Sequence, residues 1–187
     1  MKPDKFLEWL HVIEKMKCHF RHSKTSCGRD ESVAEHSYRL ILMAYVLKDM
    51  IPDVDMDKVL EMCIVHDIGE AITGDIPSFR KTKKDEDIES QKVMEFIKQL
   101  PEETYLNIKS LFEEMDEKKT IEAKVFKALD KMEAVIQHNE ADISSWLDLE
   151  YDLQKTYGIE EAESSEFLKA LRQQVLKDTE NKIENKK

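Results

Sequence analysis

Apolar residues recur at spacings of three and four along most of this chain, the period of a helix that buries one face. Phe6, Leu7, Leu10, Ile13 and Met16 place a first helix over about Asp4 to Cys18. The segment 19–31, HFRHSKTSCGRDE, loses that period, gathers polar residues around Gly28 and is expected to be a loop. Ser32 then opens the pattern S-V-A-E, in which Ser32 caps a second helix and Glu35 bonds back to it. That helix runs through Leu40, Met43, Ala44 and Leu47 to about Met50, ahead of Pro52 and Asp53. A third spans about Asp55 to Asp67, with Val59, Leu60, Cys63, Ile64 and His66 along it.

Gly74, Asp75 and Pro77 break the pattern, and the charged run RKTKKDEDIES leads into a helix over about Asp85 to Leu100. Pro101 suits the first turn of a helix reaching about Met115. Val125, Ala128, Leu129, Met132, Val135 and Ile136 form one face of a long helix from Thr120 to Glu140, with Asp130 set among them. Two more, over about Ile143–Tyr157 and Ile159–Asp178, are separated by Gly158, and the last ten residues, DTENKIENKK, read as a frayed tail. The expectation is an all-α chain, one helical domain over residues 1–187 with its core in about 5–177 and about seven to nine helices.

Composition narrows the function classes. With 187 residues and 41% hydrophobic content the chain can bury a real core. It has no apolar run near the roughly 18 residues of a membrane helix and no signal-peptide core behind MKPDKFLEWL, so a cytoplasmic location is expected. Cys18, Cys27 and Cys63 are odd in number and lack CxxC spacing, which argues against a disulfide framework and a four-thiolate zinc site. A formal charge of -11 argues against a broad grip on a nucleic acid polymer, while leaving room for one small anion met by a few well-placed cations.

Ionisable residues on apolar helical faces are the anomalies, because an unpaired buried charge is costly and a metal ion compensates it. His36, His66, Asp67 and Asp130 fit that description. His66 and Asp67 are about 100° apart on a helix and can straddle one ion. Two imidazoles and two carboxylates suit a single divalent transition metal (Mn, Fe, Co, Ni or Zn) better than Ca. Glu70 follows Asp67 by one helical turn, and Asp75 follows the turn at Gly74, so both would add carboxylates beside that ion. Cys18 and His22 in CHFRH have no partner pair for a zinc site and read as loop residues, and His11, His19 and His138 read as structural.

The segments ESVAEHSYRL, IVHDIGEAITGDIP and KALDKMEAV resemble the HD-domain metal-dependent phosphohydrolases, especially their 5'-deoxynucleotidase branch, over about residues 5–140. The resemblance implies a helical HD fold with His36, His66, Asp67 and Asp130 as metal ligands and Glu70 and Asp75 as catalytic carboxylates. It also implies that Arg21 contacts substrate phosphate or sugar, with Lys81 as a second phosphate cation and Lys24 and Arg29 as weaker candidates. At the position after Arg21 the branch carries a tryptophan implicated in sugar discrimination; this chain has His22. The implied activity is hydrolysis of (deoxy)nucleoside 5'-monophosphates by a metal-activated water, in a protein whose relatives commonly form homodimers. Triphosphohydrolase or phosphodiesterase chemistry and a non-catalytic nucleotide-binding protein are the alternatives. Di-iron oxygenases of the fold need histidines between the His-Asp pair and the last Asp, and none lies between His66 and His138.

Overall fold

The Ser32 hydroxyl accepts the Glu35 N–H at 3.3 Å while the Glu35 carboxylate accepts the Ser32 N–H at 2.9 Å, the reciprocal cap that S-V-A-E predicts. Thr82 and Asp85 make the same box at the start of another helix. In the computed structural model, which describes residues 1–185, these caps open two of eight helices of seven or more residues. They are α1 (Pro3–Ile13), α2 (Val33–Val46), α3 (Met56–Val65), α5 (Lys83–Ile97), α6 (Glu102–Glu117), α7 (Ile121–Glu140), α8 (Glu150–Thr156) and α10 (Glu166–Glu184). Two single turns, α4 (Glu70–Thr73) and α9 (Ile159–Ala162), complete the set among the described residues.

Helix α7 is the axis of the bundle. It packs against α2, α3, α6, α9 and α10, and Val125, Ala128, Leu129, Met132 and Val135 are buried along it. Leu40, Met62, Ile97 and Leu168 close the core from the surrounding helices. No helix among the described residues is long and apolar enough to cross a membrane.

The structure departs from the expected elements in five places, one being the helix expected over about Ile159–Asp178, which is broken into α9 and α10 at residues 163–165. Segment 19–31 is no simple loop: β1 (Phe20–Lys24) and β2 (Asp30–Ser32) pair antiparallel, with Gly28 at φ 86° in the connection. The first helix ends at Ile13 and tightens into a 3₁₀ turn, Glu14–Lys17. Segment 143–157 is not one helix, because Asp142 caps a 3₁₀ turn over Ile143–Ser145 and the Glu150 carboxylate accepts the Leu147 N–H before α8 begins. Helix α10 continues through most of the tail expected to fray, held by the buried Thr179 hydroxyl, which bonds Asn139 and the Val175 carbonyl. Lys186 and Lys187, the end of that tail, lie outside the described residues.

Candidate metal centre and active site

The hairpin, the chain that leaves α3, the 74–82 loop, α5, α7 and α8 enclose a cavity of about 780 Å³. His36 sits one turn into α2, where the Ser32 cap fixes the helix start, and its side chain is fully buried. His66 is the residue at which α3 ends, and Asp67 follows where the chain turns toward α4. The helix stop thus lets both side chains face one point. The His66 Nε2 lies 3.0 Å from Asp67 Oδ2, and the His36 Nε2 lies 3.9 Å from the same oxygen. Asp130, from α7, brings Oδ1 to 3.3 Å from His36 Nε2. One atom each from His36, His66 and Asp67 falls within 4.8 Å of the others, a group that could hold a metal ion.

The outer side of each imidazole is fixed. His66 Nδ1 is 2.9 Å from the Cys63 carbonyl, which can only accept, so that nitrogen carries a proton and Nε2 faces the cluster. His36 Nδ1 bonds the carboxylate of Glu133, a residue with no exposure at all. His36 Nε2, His66 Nε2, Asp67 Oδ2 and Glu70 Oε2 are buried and make no hydrogen bond of acceptable geometry. Unsatisfied polar atoms are rare in protein interiors, and the three from His36, His66 and Asp67, which lie within 4.8 Å of one another, fit a divalent ion, for which nitrogen and oxygen donors are the right chemistry.

The electrostatics follow from this crowding. Burial and the Arg21 charge oppose protonation of His36, yet the Asp130 and Glu133 carboxylates prevail and push its pKa up to about 10. An ion must therefore displace that proton, as metal binding to imidazole generally does. Burial would raise Asp67, but His66, His36 and Arg21 hold it at about 2. Asp130 is likewise held well below the carboxylate range against its burial, chiefly by Lys127 and the two imidazoles. Glu70 moves the other way: burial, then Asp67 and Asp75, keep it well above the usual range. Asp75 is raised by burial too, with Arg21 opposing.

Glu70 opens α4 and is buried, and Asp75 lines the same cavity. Between them Gly74 adopts φ 77°, and a Cβ there would sit 3.0 Å from His19 Nδ1, so the turn requires glycine. Arg21 reaches in from β1, its Nη1 3.9 Å from Asp67 Oδ2 and its Nε 3.4 Å from the buried Glu31 carboxylate. The remaining cations proposed from the sequence are already engaged. Lys81 lines the cavity but pairs with Glu89 at 2.6 Å; Lys24 pairs with Asp30 and Arg29 with Glu35. His22 lines the cavity with Nε2 3.3 Å from Glu150 Oε1 and its ring edge-on to Phe79.

Sequence reasoning missed Glu133, Lys127, Glu31 and Glu150. Lys127 and Glu133 lie three residues either side of Asp130 on α7, a helical spacing that could have found them. Lys127 Nζ donates to Asp130 Oδ2 at 2.7 Å, and Glu133 is backed by Arg39 at 3.6 Å. Glu31 finds Ser23 and Arg21 only once the hairpin pairs, and Glu150 reaches His138 as well as the Leu147 N–H three residues back.

A family model described as HD domain matches residues 13–172. The human protein named 5'-deoxynucleotidase HDDC2 is 36% identical over 114 residues, covering 60% of this chain and 55% of that protein. Its counterpart in Dictyostelium discoideum is 32% identical over 142 residues, 71% of this chain and 75% of that protein. The chain thus spans about half the length of the human relative and three quarters of the amoebal one. A crystal structure described as a predicted metal-dependent phosphohydrolase from Magnetospirillum magnetotacticum superposes with TM-score 0.80 over 96% of this chain and 93% of that one, at 21% identity, a likeness of fold. With that match over residues 13–172, and with His36, His66 and Asp67 grouped inside such a bundle and Asp130 beside His36, the chain belongs to the HD domain family.

Proposed function

We propose that the chain is a metal-dependent phosphoric monoester hydrolase acting on (deoxy)nucleoside 5'-monophosphates. The observation that carries this is the convergence of unpaired His36, His66 and Asp67 atoms with the Arg21 guanidinium 3.9 Å from that same Asp67 oxygen. The name 5'-deoxynucleotidase borne by the human and amoebal relatives supports the substrate class.

His36, His66, Asp67 and Asp130 would hold one Mn, Fe, Co, Ni or Zn ion. Such an ion supplies Lewis-acid neutralisation of phosphate charge and lowers the pKa of water. Phosphoryl transfer then rests mainly on positioning and electrostatics. Arg21 offers a planar, always-charged fork for two phosphate oxygens. Asp75, half-buried and inclined to bind a proton, exchanges it with water and the leaving 5'-oxygen. Glu70 Oε2, buried and unpaired, orients the attacking water. Intact Glu70 and Asp75 favour hydrolysis over silent nucleotide binding. His22 stands where the related branch has tryptophan, its Nε2 3.3 Å from Glu150 Oε1, and the missing tryptophan removes the basis for a strict deoxyribose preference. A cytoplasmic homodimer fits this reading, with Tyr38, Tyr45 and Val46 exposed along α2 as the surface it would bury, a matter for light scattering.

The test is a screen of ribo- and deoxyribonucleoside mono- and triphosphates with Co, Mn, Mg and Ni, measuring phosphate and inorganic triphosphate. Phosphate release from monophosphates is expected. Inorganic triphosphate and free nucleoside from triphosphates would replace this reading with triphosphohydrolase chemistry, and no product from any nucleotide would return the chain to a binding role.

A further inference from the structure

Helix α7 presents Lys127, Asp130, Lys131 and His138 to the cavity. The cations around this cavity are not equivalent. Lys81 is tied to Glu89, Lys83 to Asp87, and Lys131 to Glu161 while lying over the Tyr157 ring. Among the described residues only Arg21 and Lys127 pair with carboxylates of the proposed ion site. Arg21 sits on Asp67 and Lys127 on Asp130, so each of the two carboxylates that would bind the ion has its own cation.

The Asp130 carboxylate is divided between two tasks. Its Oδ1 faces His36 Nε2 at 3.3 Å, and its Oδ2 takes a hydrogen bond from Lys127 Nζ at 2.7 Å. An ammonium carries three donors, and Asp130 accounts for one. The Lys127 side chain is about a third exposed and lines the cavity, and Asp130 is the hydrogen-bond partner its ammonium has among the described residues. An ion at the cluster would draw carboxylate charge away from Lys127 and Arg21 together. A phosphate monoester dianion arriving there has three non-bridging oxygens to place, and one arginine does not satisfy them.

We propose that Lys127 is a second phosphate cation of this site, a residue that contacts the substrate's phosphoryl oxygens as well as Asp130. The proposal rests on the phosphohydrolase reading and puts Lys127 in the role expected of Lys81 from the sequence. The rival is that Lys127 is a positioning residue that only braces Asp130. The two differ in sign. Removing a brace weakens the ion, whereas removing a nearby positive charge leaves ion binding unchanged or tightens it, because like charges at short range repel.

Calorimetry on the full chain separates them, with Mn²⁺ titrated first and inorganic phosphate titrated into the Mn-saturated protein. Lys127→Gln keeps a donor for Asp130 and loses the charge; Lys127→Met loses both, and Lys127→Arg keeps the charge. Expected for Lys127→Gln is Mn²⁺ affinity equal to or above wild type and phosphate affinity about tenfold or more lower, the scale of a charge-assisted hydrogen bond. Lys127→Arg should hold phosphate within about fivefold of wild type, since it too is a phosphate binder, and it tests the same point if the neutral variants do not fold. Unchanged phosphate affinity in Lys127→Gln, or loss in Lys127→Arg as large as in Lys127→Met, overturns the proposal. So does Mn²⁺ affinity that falls in Lys127→Met with phosphate binding intact. A wild-type Mn-loaded protein that binds no phosphate would instead remove the phosphohydrolase reading beneath it.

Discussion

Two histidine and carboxylate clusters share one cavity and are built alike up to a single atom. His66 and His138 each stand near the end of a helix, and each donates Nδ1–H to a carbonyl of its own helix, Cys63 or Ala134, at 2.9 Å. His138 then spends Nε2 on Glu150 at 3.0 Å, and Glu150 takes the Leu147 N–H at 2.7 Å. His66 leaves Nε2 without a hydrogen bond, facing Asp67, His36 and Asp130. The His138 cluster ties α8 to α7; the His66 cluster keeps inward-facing atoms unpaired. An imidazole beside a carboxylate is therefore no site in itself. The unpaired atom, held in place from behind, is what distinguishes a ligand from a tether.

The difference should be large in activity. His66→Ala is expected to cost about a thousandfold or more in kcat/KM with little loss of helix content, since on the proposed reading it removes a ligand of the catalytic ion. His138→Ala should cost less than about tenfold and lower Tm by a few degrees instead, as loss of a buried tether does. Steady-state kinetics and a thermal melt on both variants check this, and equal activity losses would erase the contrast. A smaller effect is expected behind the ligand. Glu133→Gln keeps a hydrogen-bonding group against His36 but removes its charge, and metal affinity should fall about tenfold to a hundredfold, the usual cost of losing such a supporting carboxylate. Calorimetric metal affinity at the wild-type value would show that Glu133 supports the helix packing and not the ligand.

The same contrast governs what could be read from the chain. Helices α2, α5 and α7 were legible because capping residues and apolar spacing act locally. The hairpin was not, since Phe20–Lys24, FRHSK, is polar on both faces and its buried member, Ser23, is satisfied by Glu31. Helix α8 starts late, at Glu150, whose carboxylate takes the Leu147 N–H three residues back and meets His138 of α7, a tertiary contact that no propensity records. His36, His66, Asp67 and Asp130 stood out as ionisable residues on apolar faces, and Glu70 and Asp75 by their place beside them. Glu133 and Lys127 shared the helical spacing of Asp130 but looked like ordinary charged positions on α7. Lys81 looked available from the sequence, and only the fold shows Glu89 on it.

Metal stoichiometry tests the central claim most directly. The chain should be loaded with Mn²⁺ or Co²⁺, freed of excess ion by gel filtration, and its metal content measured beside that of Asp67→Asn and His138→Ala. The account predicts one ion per chain in the wild type, one in His138→Ala and none retained in Asp67→Asn. An Asp67→Asn protein that keeps its ion, or a wild-type chain that holds none, would contradict it.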